Sequence, residues 1–69
     1  LNMIPVKSSH LKAVAYNPVT CKLLIRFQDG LYEYSGVPDY VYEELMSADS
    51  IGRYHYYSIK YSYPQKRIE

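Results

Sequence analysis

Leu23, Ile25 and Phe27 stand at every second position of CKLLIRFQ (21–28), the spacing of a strand that buries one face. The preceding stretch HLKAVAYN (10–17) alternates less strictly, and LYEYS (31–35) resumes the spacing at Tyr32 and Tyr34. The joins between them are turn sequences. In NPVT (17–20), Asn and Pro stand where a type I turn places them. Asp29–Gly30 suits the positive φ values of a type I′ hairpin. A two-residue loop there sets Phe27 opposite Tyr32, Ile25 opposite Tyr34 and Arg26 opposite Glu33. A four-residue loop at 17–20 sets Tyr16 opposite Cys21 and Val14 opposite Leu23. Both turns then put Val14, Tyr16, Cys21, Leu23, Ile25, Phe27, Tyr32 and Tyr34 on one core face. Arg26 and Glu33 form a cross-strand charge pair on the other face.

The period changes after Ser35. In GVPDYVYEELMSADS (36–50), Val41, Leu45 and Ala48 make a helical stripe broadened by Tyr42 and Met46. Pro38 suits the first helical position, and Asp39, Glu43 and Glu44 lie towards the end that favours negative charge. Tyr40, Glu43, Glu44 and Ser47 make the solvated face. Ser50 is placed to cap a second helix running to Lys60 or Tyr61. On a helical wheel its inner side holds Ile51, Tyr54, His55, Ser58, Ile59 and Tyr61. Arg53, Tyr56, Tyr57 and Lys60 stand at i, i+3, i+4 and i+7, one continuous outer stripe. IPVKSS (4–9) reads as an extended lead-in because Pro5 lacks an amide donor. Pro64 ends the helical region. The expected fold is therefore α+β, a three-stranded antiparallel β-meander followed by two helices packed on one sheet face.

Composition narrows this picture. The chain has 69 residues, enough for one domain spanning 1–69. Leu1 and Asn2 precede Met3, which is expected to be the natural start, the two residues before it being additions. At 48% hydrophobic the chain suits a folded protein rather than a disordered tail. Its ten tyrosines can complete a core while their hydroxyls reach water. One cysteine excludes an internal disulfide and a Cys-rich zinc site, and fits a reducing compartment. No apolar run reaches a membrane span and no signal peptide is visible, so a cytoplasmic location without membrane contact is expected. Net charge is +1, which excludes a basic tail, but residues 50–69 carry four Lys/Arg against one Glu.

The segments MIPVKSSHLKAVAYNP, LYEYSGVPDYVYEEL, SIGRY and IKYSYP together resemble the KTSC domain, across roughly Val6 to Ile68. The most specific parts are Tyr32 and Tyr34, then Val37 and Pro38, with Ser8, Ser9, Ser50, Gly52 and Ile59 in support. These nine residues are expected to be mainly structural. The family is named for a position at the C-terminus of some lysyl-tRNA synthetases and also occurs as stand-alone bacterial and phage proteins. The resemblance implies a domain of unestablished function for which RNA binding is the usual suggestion. One departure stands out. The family pattern tends to an aromatic and then Asn after Gly-x-Tyr, where this chain has His55 and Tyr56.

His10, His55 and Cys21 match no closed zinc spacing, and no metal or cofactor is expected. With no cluster of Asp, Glu and His, and little room for a water-excluding pocket, an enzyme is not expected either. Tyr32 and Tyr34 invite a base-stacking role, but the register assigns them to the core face. The Arg53–Tyr56–Tyr57–Lys60 stripe is the binding candidate, extended by Lys66 and Arg67. Such a stripe can neutralise phosphates and stack on unpaired bases, so RNA or single-stranded nucleic acid is one expected partner. Tyr and Arg are also favoured at protein interfaces, so a protein-interaction module or homodimer through the same stripe or a sheet edge is the alternative. A solvated helix face accounts for the stripe as well.

Overall fold

A computed structural model describes residues 2–69. Leu1, one of the two residues expected to precede the native start, lies outside them. Five antiparallel strands form one sheet in chain order: β1 (Ile4–Pro5), β2 (Leu11–Asn17), β3 (Lys22–Phe27), β4 (Gly30–Tyr34) and β5 (Gln65–Arg67). Between β4 and β5 come helix α1 (Asp39–Ser47), helix α2 (Ile51–Tyr54) and a π-helical turn over His55–Ile59.

The α+β class and the central meander are as expected, and the strand count is corrected from three to five. The two added strands are edge strands without a period-two apolar pattern. β1 contains Pro5, and β5 is Gln-Lys-Arg. Each is held by its neighbour: Ile4 opposes Val14, and Tyr32 opposes Arg67. The same residues close the sheet, since proline and exposed cations at an edge resist pairing with a further strand.

The hydrophobic core lies on one face. Val14, Leu23, Ile25 and Tyr34 from the strands meet Val37, Val41, Leu45 and Ile59, all buried. Burying each such aliphatic side chain contributes roughly 1.5–3 kcal/mol. Val41 and Leu45 fulfil the expected stripe, with Tyr42 and Met46 packed at its margins. Tyr16 stacks on Tyr42 at 4.9 Å and donates its hydroxyl to the Val37 carbonyl at 2.6 Å, tying the segment before α1 to β2. A bulge in β2 between Leu11 and Ala13 brings Leu11 onto the core side although Val14 also points inward.

Both hairpins differ from the expected register by one turn position, and both keep the expected faces. The first loop occupies 18–21, because Asn17 stays in β2 opposite Lys22. Its side-chain oxygen accepts the Val19 and Thr20 amides, at 2.9 and 3.4 Å. Cys21, expected on the core face, therefore sits in the turn with φ 58°. The second loop is Gln28–Asp29, and Gly30 is already paired with Phe27. Ile25 then opposes Tyr32 and Leu23 opposes Tyr34. A shift of two residues leaves the faces unchanged because the strand period is two. It does break the expected Arg26–Glu33 pair. Arg26 bonds Glu69 at 2.8 Å, and Glu33 lies 3.5 Å from Lys22 and 3.8 Å from Lys66.

Gly30 has φ 156°, and a Cβ there would collide with the Glu69 carbonyl oxygen and the Arg67 side chain. The tail reaches this close because the Leu31 amide donates to the Glu69 carbonyl and the Ile68 amide to the Leu31 carbonyl. Gly30→Ala is expected to destabilise the domain by about 1–3 kcal/mol through backbone strain and displacement of the tail. Urea unfolding measures the loss, and hydrogen exchange at the Leu31 and Ile68 amides should quicken. An unchanged midpoint with unchanged exchange would refute the need for glycine.

Candidate functional site

Ser50 caps the second helix as expected, its side chain accepting the Arg53 amide at 3.2 Å. The α-helical pattern lasts only through Tyr54. From there the Lys60 amide reaches back five residues to the His55 carbonyl, at 2.8 Å. The wider turn inserts one residue and rotates the rest of the segment by about 100° relative to an α-helix. Tyr61, expected on the inner side, is consequently 76% exposed. Lys60, expected outside, is half-buried.

The anchor of this turn is His55. It is 7% exposed, and its Nε2 lies 2.7 Å from the Tyr34 hydroxyl. Its ring packs against Phe27 and Tyr34, with centroids at 5.0 and 5.5 Å. Burial, reinforced by the Lys60 charge, lowers the His55 pKa to about 4. Burial also pushes the Tyr34 hydroxyl up to about 12, with the neighbouring Tyr32 adding to it. Both groups are thus neutral around pH 7, consistent with a structural hydrogen bond. At the C-terminal end of α2, next to His55, the Tyr54 hydroxyl donates to Glu44 Oε1 at 2.6 Å, bracing α2 on α1. Burial and this carboxylate raise Tyr54 to about 12.

Arg53, Tyr56 and Tyr57 stand on the exposed side as expected, the two tyrosines 51% and 77% accessible. Their rings meet edge to face at 5.2 Å. Lys60 Nζ lies 5.4 Å from the ring centres of both Tyr56 and Tyr61, a double cation–π contact. Lys66 and Arg67 are placed elsewhere. Lys66 faces Glu33, while Arg67 donates to the carbonyls of Asp29 and Glu69. The stripe and the tail cations therefore do not form one continuous charged row.

A groove of about 520 Å³ runs between the Lys7–His10 turn and the start of α2, and Arg53, Tyr56 and Tyr57 line it. Ser8, Ser9, Ser50 and Gly52 line it too, together with Lys7, His10 and Asp49. A smaller cleft of about 300 Å³ shares His10, Gly52 and Tyr56 with it and extends to Phe27, His55 and Lys60. A third, of about 360 Å³, continues from Lys60 and His55 to Tyr32 and Gln65. Tyr34 and Ile59 are core residues, Tyr32 packs edge-on against Phe27, and Pro38 precedes α1. Sequence reasoning missed Lys7, His10 and Asp49. Only the Ser8–Ser9 motif hinted at the wall they share, and its apposition to α2 is a long-range contact. His10, His55 and Cys21 lie in the groove, the core and a hairpin turn respectively; among the described residues no group of three or more His, Cys, Asp or Glu could hold a metal ion.

The model of the KTSC domain family matches residues 7–63. A protein of Tsukamurella paurometabola is 42% identical over 53 residues, covering 75% of this chain and 79% of its own. An uncharacterized protein of Stutzerimonas stutzeri is 36% identical over 55 residues, 78% of each. The crystal structure of a KTSC domain protein from Yersinia pestis superimposes with a TM-score of 0.96 at 35% identity, covering 99% of this chain and 97% of that one.

The buried His55 makes stability depend on pH with a definite sign. Unfolded, it binds a proton below its ordinary value of 6.5; folded, only below about 4. The stability it confers is complete above pH 6.5 and is lost as pH falls through that window. Between pH 8 and pH 5 its contribution should fall by about 2 kcal/mol. Urea unfolding across this range should show the loss, and His55→Phe should flatten it. An equally steep profile in the variant would assign the dependence to other groups.

Proposed function

The chain belongs to the KTSC domain family, and from its own geometry we propose that it is a small, non-enzymatic binding domain taking single-stranded nucleic acid, RNA foremost, on the outer face of the second helix. The observation that supports this reading is the distribution of uncommitted positive charge. On the sheet side Lys22, Arg26 and Lys66 face carboxylates, and Arg67 is bonded to carbonyls. Among the described residues Lys7, Lys12, Arg53 and Lys60 have no carboxylate within salt-bridge distance; Lys12 stands alone on β2, while the other three adjoin the exposed tyrosines. Cations interleaved with accessible aromatic rings suit a strand whose phosphates need neutralising and whose unpaired bases can stack. A duplex hides those bases. What supports the non-enzymatic part is that the buried His55 imidazole is hydrogen-bonded to the Tyr34 hydroxyl.

Three cations neutralising about three phosphates give a slope of log affinity against log salt of about −2 for a single strand. Fluorescence anisotropy with labelled single-stranded RNA, single-stranded DNA and duplex should show that slope and a preference for single strands. Arg53→Glu combined with Lys60→Glu should cost at least about tenfold in affinity, and Tyr57→Ala about fivefold through lost stacking. Circular dichroism verifies that the variants fold. No binding at low salt, or full binding by the double charge reversal, would overturn the reading.

A further inference from the structure

We infer that the groove between the Lys7–His10 turn and the start of α2 is a nucleotide subsite, holding one phosphate between Lys7, Ser8, Ser50 and Arg53 with its base against Tyr56 and Tyr57. This rests on the nucleic-acid reading above and narrows it to a defined place and ligand unit. The groove's volume of about 520 Å³ suits a single bound small molecule. Two cations at its margin supply charge that no carboxylate of the described residues neutralises by a salt bridge.

The hydroxyls supply direction. Ser8 Oγ accepts the amides of His10 and Leu11, at 3.2 and 3.3 Å, and Ser50 Oγ accepts that of Arg53. In each case a backbone N–H occupies the oxygen and fixes the side chain, leaving the O–H to be donated. A phosphate oxygen is an acceptor only, so the two fixed donors match it. Gly52 keeps the walls in position: a Cβ there would lie 3.3 Å from the His10 ring and 3.4 Å from Ser8 Oγ. Asp49 on the same lining can accept from a sugar hydroxyl or base amine. The tyrosines meet edge to face rather than stacked, and Tyr57 is 77% exposed, so a ring face remains for a base. Phosphate, sugar and base each have a counterpart, the composition of a nucleoside monophosphate rather than of a bare anion.

The test uses adenosine monophosphate, adenosine and inorganic phosphate as separate probes, read by amide chemical shifts of the labelled protein. Adenosine monophosphate should perturb Ser8–His10 and Ser50–Tyr57 together and compete with a single-stranded oligonucleotide. Ser50→Asp retains a good helix cap yet places a negative charge in the groove, and should weaken nucleotide binding at least about tenfold. Ser50→Asn retains the cap and an N–H donor without the charge, and should weaken nucleotide binding less than Ser50→Asp does. Oligonucleotides with and without a 5′-phosphate separate a terminal phosphate from an internal one; either preference upholds the subsite. No perturbation by adenosine monophosphate, the same perturbation by phosphate alone, or equal affinity in Ser50→Asp would overturn it. If the oligonucleotide still binds and still depends on Arg53 and Lys60, the nucleic-acid face survives while the subsite falls. Nucleotide binding that disappears in Ser50→Asp, without oligonucleotide binding, upholds the subsite and refutes the wider face.

Discussion

The hydrogen bond between the Tyr34 hydroxyl and His55 Nε2 determines how the second helix sits on the sheet. It joins the end of β4 to the first residue of the π turn, where both side chains are almost wholly buried. A buried hydroxyl or imidazole without a partner is costly, so the two must meet. The wider turn at 55–59 retains His55 and Ile59 together on the buried side. It also sends Tyr61 outward and draws Lys60 between two rings. The surface that the helix offers to solvent is thus a consequence of the side chains it must bury.

The sheet and the helical side also differ in how their charges are paired. Three cations of the sheet are paired, Glu33 lying between Lys22 and Lys66 and Glu69 holding Arg26, while Lys12 of β2 has no salt bridge among the described residues. Ion pairs this exposed add little stability, but they neutralise the surface locally. On the helical side Glu44 of α1 accepts from a tyrosine instead of pairing with a cation. Modest net charge is therefore compatible with a local basic face.

The range of each contact decides how far it could be read from the chain. The strands β2 to β4, their shared face, α1 and the Ser50 cap are local features set by period and by turn residues. They were legible even though both turns were displaced, since a shift of two residues preserves the faces. Cys21 was misplaced because Asn17 holds the turn with its own side chain, one position later than the Asn-Pro signal suggests. β1 and β5 were not legible because edge strands of two and three residues have no apolar pattern and exist through their neighbours. The stripe of Arg53, Tyr56 and Tyr57 was legible from helical spacing. Its opposite wall was not, because Lys7 and His10 reach it only once the sheet and α2 have packed together.

That wall changes the meaning of the residues that carry the family resemblance. They were expected to be structural as a group, yet they occupy two different settings. Tyr34, Val37 and Ile59 are buried, and Tyr32 and Pro38 flank them, which is the work of a core. Ser8, Ser9, Ser50 and Gly52 instead line a solvent-open groove. Folding alone explains part of this second set, since Ser8 and Ser50 each satisfy backbone amides. It does not explain why a turn serine, a helix cap and a glycine, drawn from distant parts of the chain, should converge beside uncommitted cations. A cap needs only an oxygen, and Asp would serve as well. A hydroxyl, unlike a carboxylate, also carries a proton that can be donated to the groove. The difference between satisfying a helix end and presenting a proton to a ligand is where fold and function separate at these positions.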